Sequence, residues 1–261
     1  ENALNNVYQN LMYQASVDYA RNFKNTHNVT ALLLFKRREN YRGANFPSYR
    51  EEWAGRVTYD YRNRYLFETN GAYNGSEKFG PGNKFGFFPS LAAGWIISNE
   101  SFMQDVSAYV NFLKLRYSWG KIGSDNNIPR WLYVTQWSTR NNDAKLGYPN
   151  ATVPPFQSFN VTNIGNPDAK WETAIKNDIA LDGAFLNHKL SFNFDYFWGK
   201  RDDIFMSASD RNIPPWFGAD PVAANIGKTK EHGWEFELKW NDKTSFNMNY
   251  FASASISYAK D

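Results

Sequence analysis

Leu190-Ser191-Phe192-Asn193-Phe194-Asp195-Tyr196-Phe197-Trp198 is the stretch on which the fold turns. Successive side chains of a β-strand point to opposite faces, so the run sorts into Leu190, Phe192, Phe194, Tyr196 and Trp198 on one side. Ser191, Asn193, Asp195 and Phe197 fall on the other, where only Phe197 breaks a polar face. Trp234 to Trp240 repeats the pattern without a break: Trp234, Phe236, Leu238 and Trp240 alternate with Glu235, Glu237 and Lys239.

The same period of two extends outward in both directions. Phe246 to Tyr258, Leu113 to Gly120, Trp53 to Tyr61 and Leu11 to Tyr19 alternate clearly, and Ala31 to Lys36, Tyr65 to Tyr73, Phe85 to Ile97 and Ile175 to Ala184 do so more weakly. About ten strands are predicted, the better-defined ones of roughly 7 to 13 residues, which suits tilted strands crossing a bilayer better than the shorter strands of soluble sheets. Connections alternate in length. Lys24 to His27, Tyr61 to Arg64, Phe185 to His188 and Asn241 to Thr244 read as short polar turns. Arg38 to Glu52, Asn74 to Lys84, Lys121 to Lys170 and Arg201 to Ala223 read as long loops, and Ser98 to Val110 as a longer turn with a helical twist. Short turns at one end and long loops at the other are the mark of a transmembrane barrel.

Composition agrees. Aromatic residues make up 18% of the 261-residue chain (21 Phe, 16 Tyr, 10 Trp) although 21% of it is charged. A barrel uses such rings as girdles at both membrane interfaces while its lumen stays polar. The longest apolar run, Ala31 to Phe35, is far too short for a membrane-spanning helix, which needs about 20 residues. Glu1 to Asn5 has none of the features of a signal peptide. The chain has no cysteine, hence neither disulfides nor thiolate metal sites, and its net charge of +3 is spread with both signs interspersed, so nucleic-acid binding is not expected. A soluble β-sandwich also alternates, but it would bury these rings in one narrow core.

Gly86-Phe87-Phe88-Pro89-Ser90-Leu91-Ala92-Ala93-Gly94-Trp95-Ile96-Ile97-Ser98 is followed by Glu100-Ser101-Phe102-Met103 and by Leu113-Lys114-Leu115-Arg116-Tyr117-Ser118-Trp119-Gly120-Lys121-Ile122-Gly123. In this order the three segments resemble the barrel of SusC/RagA-like TonB-dependent outer-membrane transporters. Asn166-Pro167-Asp168-Ala169-Lys170-Trp171-Glu172-Thr173 and Asn225-Ile226-Gly227-Lys228-Thr229-Lys230-Glu231-His232-Gly233-Trp234-Glu235 are similar to two further stretches of that family, in the same order. The resemblance covers residues 86 to 235. It implies an all-β, antiparallel transmembrane β-barrel, with residues 1–261 forming about ten strands of a wall of about 22. It further implies that the plug domain, the TonB-engaging motif and the remaining strands lie outside these residues, because ten strands alone leave two edges that lipid cannot solvate.

For function, the resemblance implies TonB-dependent active import of a glycan or peptide nutrient through the outer membrane of a Gram-negative bacterium, beneath a SusD-like surface lipoprotein. TonB, outer-membrane lipid and the ligand are the other expected partners. No cofactor, metal or catalytic residue is expected. His27, His188 and His232 are few and scattered, and adjacent Asp202 and Asp203 lack the separation that glycoside hydrolysis needs. Gly80-Pro81-Gly82 lacks the residues of a phosphate loop. Lys36-Arg37-Arg38, with Arg42 and Arg50, could meet lipopolysaccharide or an acidic ligand, but reads as ordinary loop charge. Rings fall in two long loops, where they can stack on sugars, anchor a partner or pack loop against loop: Trp131, Tyr133 and Trp137, then Trp216 and Phe217. These five are the candidate ligand or lid contacts. A complete small outer-membrane barrel enzyme is the alternative within the membrane, and it would require catalytic residues converging at the extracellular rim.

Overall fold

The structure, a computed structural model, describes residues 7–43, 45–144, 156–211, 213–214, 216 and 221–261. Its strands are β1 (Tyr8–Phe23), β2 (His27–Arg42), β3 (Ser48–Tyr61), β4 (Tyr65–Ser76), β5 (Phe85–Ile96), β6 (Val110–Ser124), β7 (Gln136–Ala144), β8 (Phe156–Asn163), β9 (Glu172–Phe185), β10 (Leu190–Met206), β11 (Ala224–Lys243) and β12 (Asn249–Lys260). Ten of them form one antiparallel sheet in the order β1-β2-β3-β4-β5-β6-β9-β10-β11-β12, and β7 pairs with β8 in a separate sheet. The large sheet is a curved wall with β1 and β12 at its edges.

Each of the ten predicted strands is present in that wall, and most run further than alternation indicated. Beyond the membrane both faces of a strand are wet, so the apolar signal stops before the hydrogen-bonded ladder does. The connection expected over 38–52 therefore shrinks to 43–47, and the one expected over 201–223 begins only after Met206. The connection between β6 and β9 is not all loop, because it carries the β7–β8 hairpin. The helical twist expected in 98–110 takes the form of two 3-10 segments, Ile97–Asn99 and Ser101–Val106.

Short turns lie at one end of the wall. Tyr61 O accepts from Arg64 N at 2.9 Å, with both central residues, Arg62 and Asn63, at positive φ. Phe23 O accepts from Thr26 N across Lys24 and Asn25, again both at positive φ. Two successive positive-φ residues give a turn whose twist matches that of the flanking strands.

Register keeps the two faces distinct across strands. Tyr117, Ile179, Tyr196, Trp234 and Tyr258 form one continuous row, with Leu115, Leu181, Phe194, Phe236 and Ile256 in the row below. None of Trp234, Phe236 and Leu238 is buried, so no second layer packs on this face. On the opposite face lie Arg56, Glu68, Arg116, Asp178, Asp182, Asp195, Glu231, Glu235 and Glu237. Phe197, the exception on the polar face, lies directly opposite Gly233, and its ring occupies the space a Cβ would need there, 2.5 Å from the ideal position. A ring laid over a strand glycine restores the contact that the missing side chain gives up.

Outward rings make a charge on that face costly at mid-height. Phe236→Arg is expected to destabilise the full-length protein by about 2–4 kcal/mol in a bilayer, whereas Glu235→Gln, one residue away on the wet face, changes stability little. Urea unfolding in lipid vesicles checks this, and equal effects at the two positions contradict the assignment of faces.

Candidate functional site

Charges on the inner face are organised around Arg116. The β6–β9 and β9–β10 registers bring three carboxylates within reach of one guanidinium: Asp195 at 2.6 Å, Asp182 at 3.1 Å and Asp178 at 3.6 Å. A planar group with five donors can serve several acceptors at once, which a lysine could not do with the same geometry. Nearer the edge β1, Arg56 holds Glu68 at 2.8 Å and Lys36 approaches Glu52 at 3.6 Å. The basic run Lys36-Arg37-Arg38 is thus split. Lys36 and Arg38 take the inner face, while Arg37 points outward and is held by Glu39 at 2.9 Å.

At the turn end, Glu100 fastens the 97–109 connection to the wall. Its carboxylate accepts from Trp95 Nε1 at 3.1 Å and from Arg64 Nη1 at 3.2 Å. The Tyr65 hydroxyl, then Trp95 and Arg64, hold this carboxyl below the usual range.

At the loop end, three connections meet in a small core of Phe79, Phe88, Ile128, Leu132, Ala169 and Trp171. Phe88 reaches it from β5, Phe79 from the β4–β5 loop, and the rest come from the segments flanking the β7–β8 hairpin. Asp125, buried at the end of β6, ties the core to the wall. It accepts from Ser76 Oγ at 2.7 Å and Arg50 Nη1 at 3.1 Å, while its backbone carbonyl takes Lys78 Nζ at 2.8 Å. Burial pushes this carboxyl up, but Ser76, Arg50 and Lys78 together outweigh burial and hold it below the usual carboxylate range. Residues 166–172 are fastened to 203–225 on the far side. Lys170 N donates to Asn225 Oδ1 at 3.0 Å, Asn225 Nδ2 returns a bond to Lys170 O at 2.9 Å, and Glu172 accepts from Phe205 N at 2.9 Å.

The five predicted ring positions are distributed over this rim. Trp131 has φ +64, an unusual backbone for a bulky residue, and sits beneath Arg130, whose guanidinium carbon is 5.3 Å from its ring. Arg130 in turn donates to Phe46 O at 3.1 Å and Pro47 O at 2.9 Å and pairs with Glu77 at 2.8 Å. Trp131 contacts Phe46 edge-on at 6.0 Å and Tyr133 at 6.2 Å, so Trp131 and Tyr133 belong to one cluster. Trp137 stands apart on β7, 63% exposed, and Trp216 is 87% exposed with no ring contact among the described residues. Phe217 lies outside the described residues.

Sequence reading missed Phe159. It sits opposite Thr139 on β8, two residues from Val161, which is opposite Trp137; the four share one face of the hairpin. Phe159 is 66% exposed, so this face presents two large rings to solvent. The alternation Ser158, Phe159, Asn160, Val161 carries the signal, but over too few residues to stand out from a polar loop. Asp202 and Asp203, weighed as a catalytic pair, each hold a different lysine at 3.1 Å, Lys200 and Lys170 respectively. Among the described residues no group of three or more His, Asp or Glu side chains is arranged to hold a metal ion.

Residues 2–261 match the family described as TonB dependent receptor-like, beta-barrel. TonB-dependent receptor P26 of Formosa agariphila is 32% identical over 209 residues, 79% of this chain and 20% of the relative. TonB-dependent receptor SusC of Bacteroides thetaiotaomicron is 34% identical over 206 residues, 78% of this chain and 20% of SusC. The chain thus spans about a fifth of the length of the curated relatives it matches. Among solved structures, the RagAB peptide importer in its open-open state superposes with a TM-score of 0.80 at 18% identity, over 97% of this chain and 30% of that one. The siderophore receptor PirA of Pseudomonas aeruginosa superposes less well, with a TM-score of 0.54 at 11% identity over 97% of this chain and 45% of PirA.

Because the folded Asp125 carboxyl is depressed, its contribution to loop packing is complete above about pH 4, the ordinary carboxylate value, and is lost as pH falls through the folded value. Asp125→Asn is expected to cost about 1–2 kcal/mol of local stability at neutral pH and to abolish that acid dependence. Amide-exchange protection of residues 126–135, corrected for intrinsic rates, measures both. The wall, its inward charges and its pinned rim, together with the match across residues 2–261, make this chain a member of the TonB-dependent receptor β-barrel family, with SusC among its relatives.

Proposed function

We propose that the protein to which these strands belong imports a glycan or peptide nutrient across the outer membrane of a Gram-negative bacterium. Energy comes from TonB, acting through segments outside residues 1–261, and a SusD-like lipoprotein covers the extracellular mouth. The observation that carries this reading is the combination of a ring-bearing outer face, a charged inner face and a built extracellular rim in a chain of this family. Kinship with SusC and likeness in fold to the RagAB peptide importer support it. The reading involves no bond-making: the relatives are TonB-dependent receptors, and the wall contributes a path rather than a reaction.

Trp131 and Tyr133, clustered with Phe46, form one contact area for ligand or lid on this reading. Trp137 and Trp216 are more exposed than Trp131, and Phe217 completes the set drawn from the sequence. Clustered rings braced by a cation suit sugar faces and apolar peptide side chains alike, because both stack on a flat π-surface.

The test is growth and uptake. A strain lacking the full-length gene is expected to lose uptake of one class of oligosaccharide or peptide, and complementation with a Trp131→Ala/Trp137→Ala variant restores surface expression but weakens capture of that nutrient by at least about tenfold. Unchanged uptake on every glycan and peptide mixture in the deletion strain overturns the import reading. Full activity of the double variant removes the rings from the site while leaving import intact.

A further inference from the structure

On the outer face of β10, β11 and β12 the side chains change character at one level. Outward positions on β10 run Leu190, Phe192, Phe194, Tyr196, Trp198 and then Lys200. On β11 they run Trp240, Leu238, Phe236 and Trp234, then His232, Lys230 and Lys228; on β12, Ile256 and Tyr258, then Lys260. Register places Lys200 directly opposite Lys230, and His232 between Trp198 and Lys260. At about 3.4 Å per residue, Lys200 stands about 34 Å along the strand from Leu190. A tilt of about 40° reduces this to about 26 Å of height, the thickness of the apolar band of a barrel. The lysines therefore begin where hydrocarbon gives way to headgroups on the loop side.

Among the described residues the patch holds more cations than anions. Asp202 meets Lys200 at 3.1 Å, but Lys228, Lys230 and Lys260 are exposed and make no ion pair among the described residues. Several cations elsewhere are balanced: Arg37, outward near the opposite edge, pairs with Glu39, and inner-face Lys176 and Lys239 have Glu231 and Glu237 at 3.1 and 2.7 Å. Like charges directly opposite on neighbouring strands are destabilising, so the Lys200–Lys230 pairing sets up a demand for an anion.

We propose that this patch binds the phosphorylated headgroup of an outer-leaflet glycolipid, with Lys200, Lys228, Lys230, Lys260 and His232 around the phosphate and the acyl chains laid over Trp198, Tyr196 and Phe194. A lipid satisfies both halves at once, because the cations are continuous with the hydrocarbon-facing belt. A soluble acidic partner would meet the lysines but leave the rings below them to the membrane. The inference rests on the outer-membrane placement and not on the identity of the imported nutrient.

The experiment uses full-length protein extracted in detergent and stripped of endogenous lipid, with phosphorylated lipid A and its dephosphorylated form as probes. Wild type is expected to prefer the phosphorylated form, and K200Q/K228Q/K230Q/K260Q to bind it at least about tenfold more weakly while binding the dephosphorylated form as wild type does. Inner-face K176Q/K239Q leaves both affinities unchanged. Heat-modifiable gel mobility reports folding; if the quadruple variant fails to fold, Lys230→Gln and Lys260→Gln are measured singly, each expected to weaken binding about threefold. Equal binding of phosphorylated lipid A by wild type and variants, or indifference of wild type to the phosphates, overturns the proposal. Loss of a co-purifying acidic protein with lipid A binding intact also overturns it. Normal outer-membrane fractionation and uptake by a variant that has lost lipid A separates this inference from the import reading.

Discussion

Hydrocarbon offers no partner to a peptide N–H or C=O, and the wall described above is arranged around that fact. Each of the eight strands between β1 and β12 spends its backbone groups on two neighbours, so side chains are left to settle on one face or the other with a period of two. Rings and aliphatics take the face turned to lipid, where no second layer is needed to cover them. At the height of the outward rings charged groups take the wet face, where Arg116 can gather Asp178, Asp182 and Asp195 without the desolvation cost of a closed core. The buried core is consequently small and lies at the loop end, where connections fold on one another in water.

That division explains which parts of the structure could be read from residues alone. Between Leu190 and Trp198 or Trp234 and Trp240 the two environments differ so sharply that side chains record the backbone, and each of the ten strands of the wall was legible. Past Arg201 or before Glu52 both faces are wet, alternation fades, and the ladder continues unseen. The β7–β8 hairpin was hidden for the same reason. Its one apolar face is carried by Trp137, Phe159 and Val161, too few residues to register as a pattern. Asp125 gave no sign of its role, because a lone aspartate acquires meaning only when Arg50, Ser76 and Lys78 converge from other strands.

The segments that carried the family resemblance turn out to be fastenings. Phe88 reaches into the rim core, Glu100 pins the turn between β5 and β6, Arg116 anchors the inner charges, and the Asn225 side chain exchanges two bonds with the Lys170 backbone, tying the β8–β9 connection to β11. Trp131, Tyr133, Trp137 and Trp216 lie outside those segments. Residues that hold the wall together and residues that face outward on the loops are thus separate sets, which lets loop chemistry vary over a constant frame.

The hairpin is tied to the rim at its root, where Asn166 N donates to Leu132 O at 2.7 Å and Gly165 N to Thr135 Oγ1 at 3.1 Å. A ribbon held at its root passes load to that root. A load on the rings of Trp137 and Phe159 is delivered as torque at Leu132, which packs with Trp171, and Trp171 leads straight into β9, the strand that supplies Asp178 and Asp182 to Arg116. A load on the hairpin thus has a short covalent and packed route to the charged inner face of the wall.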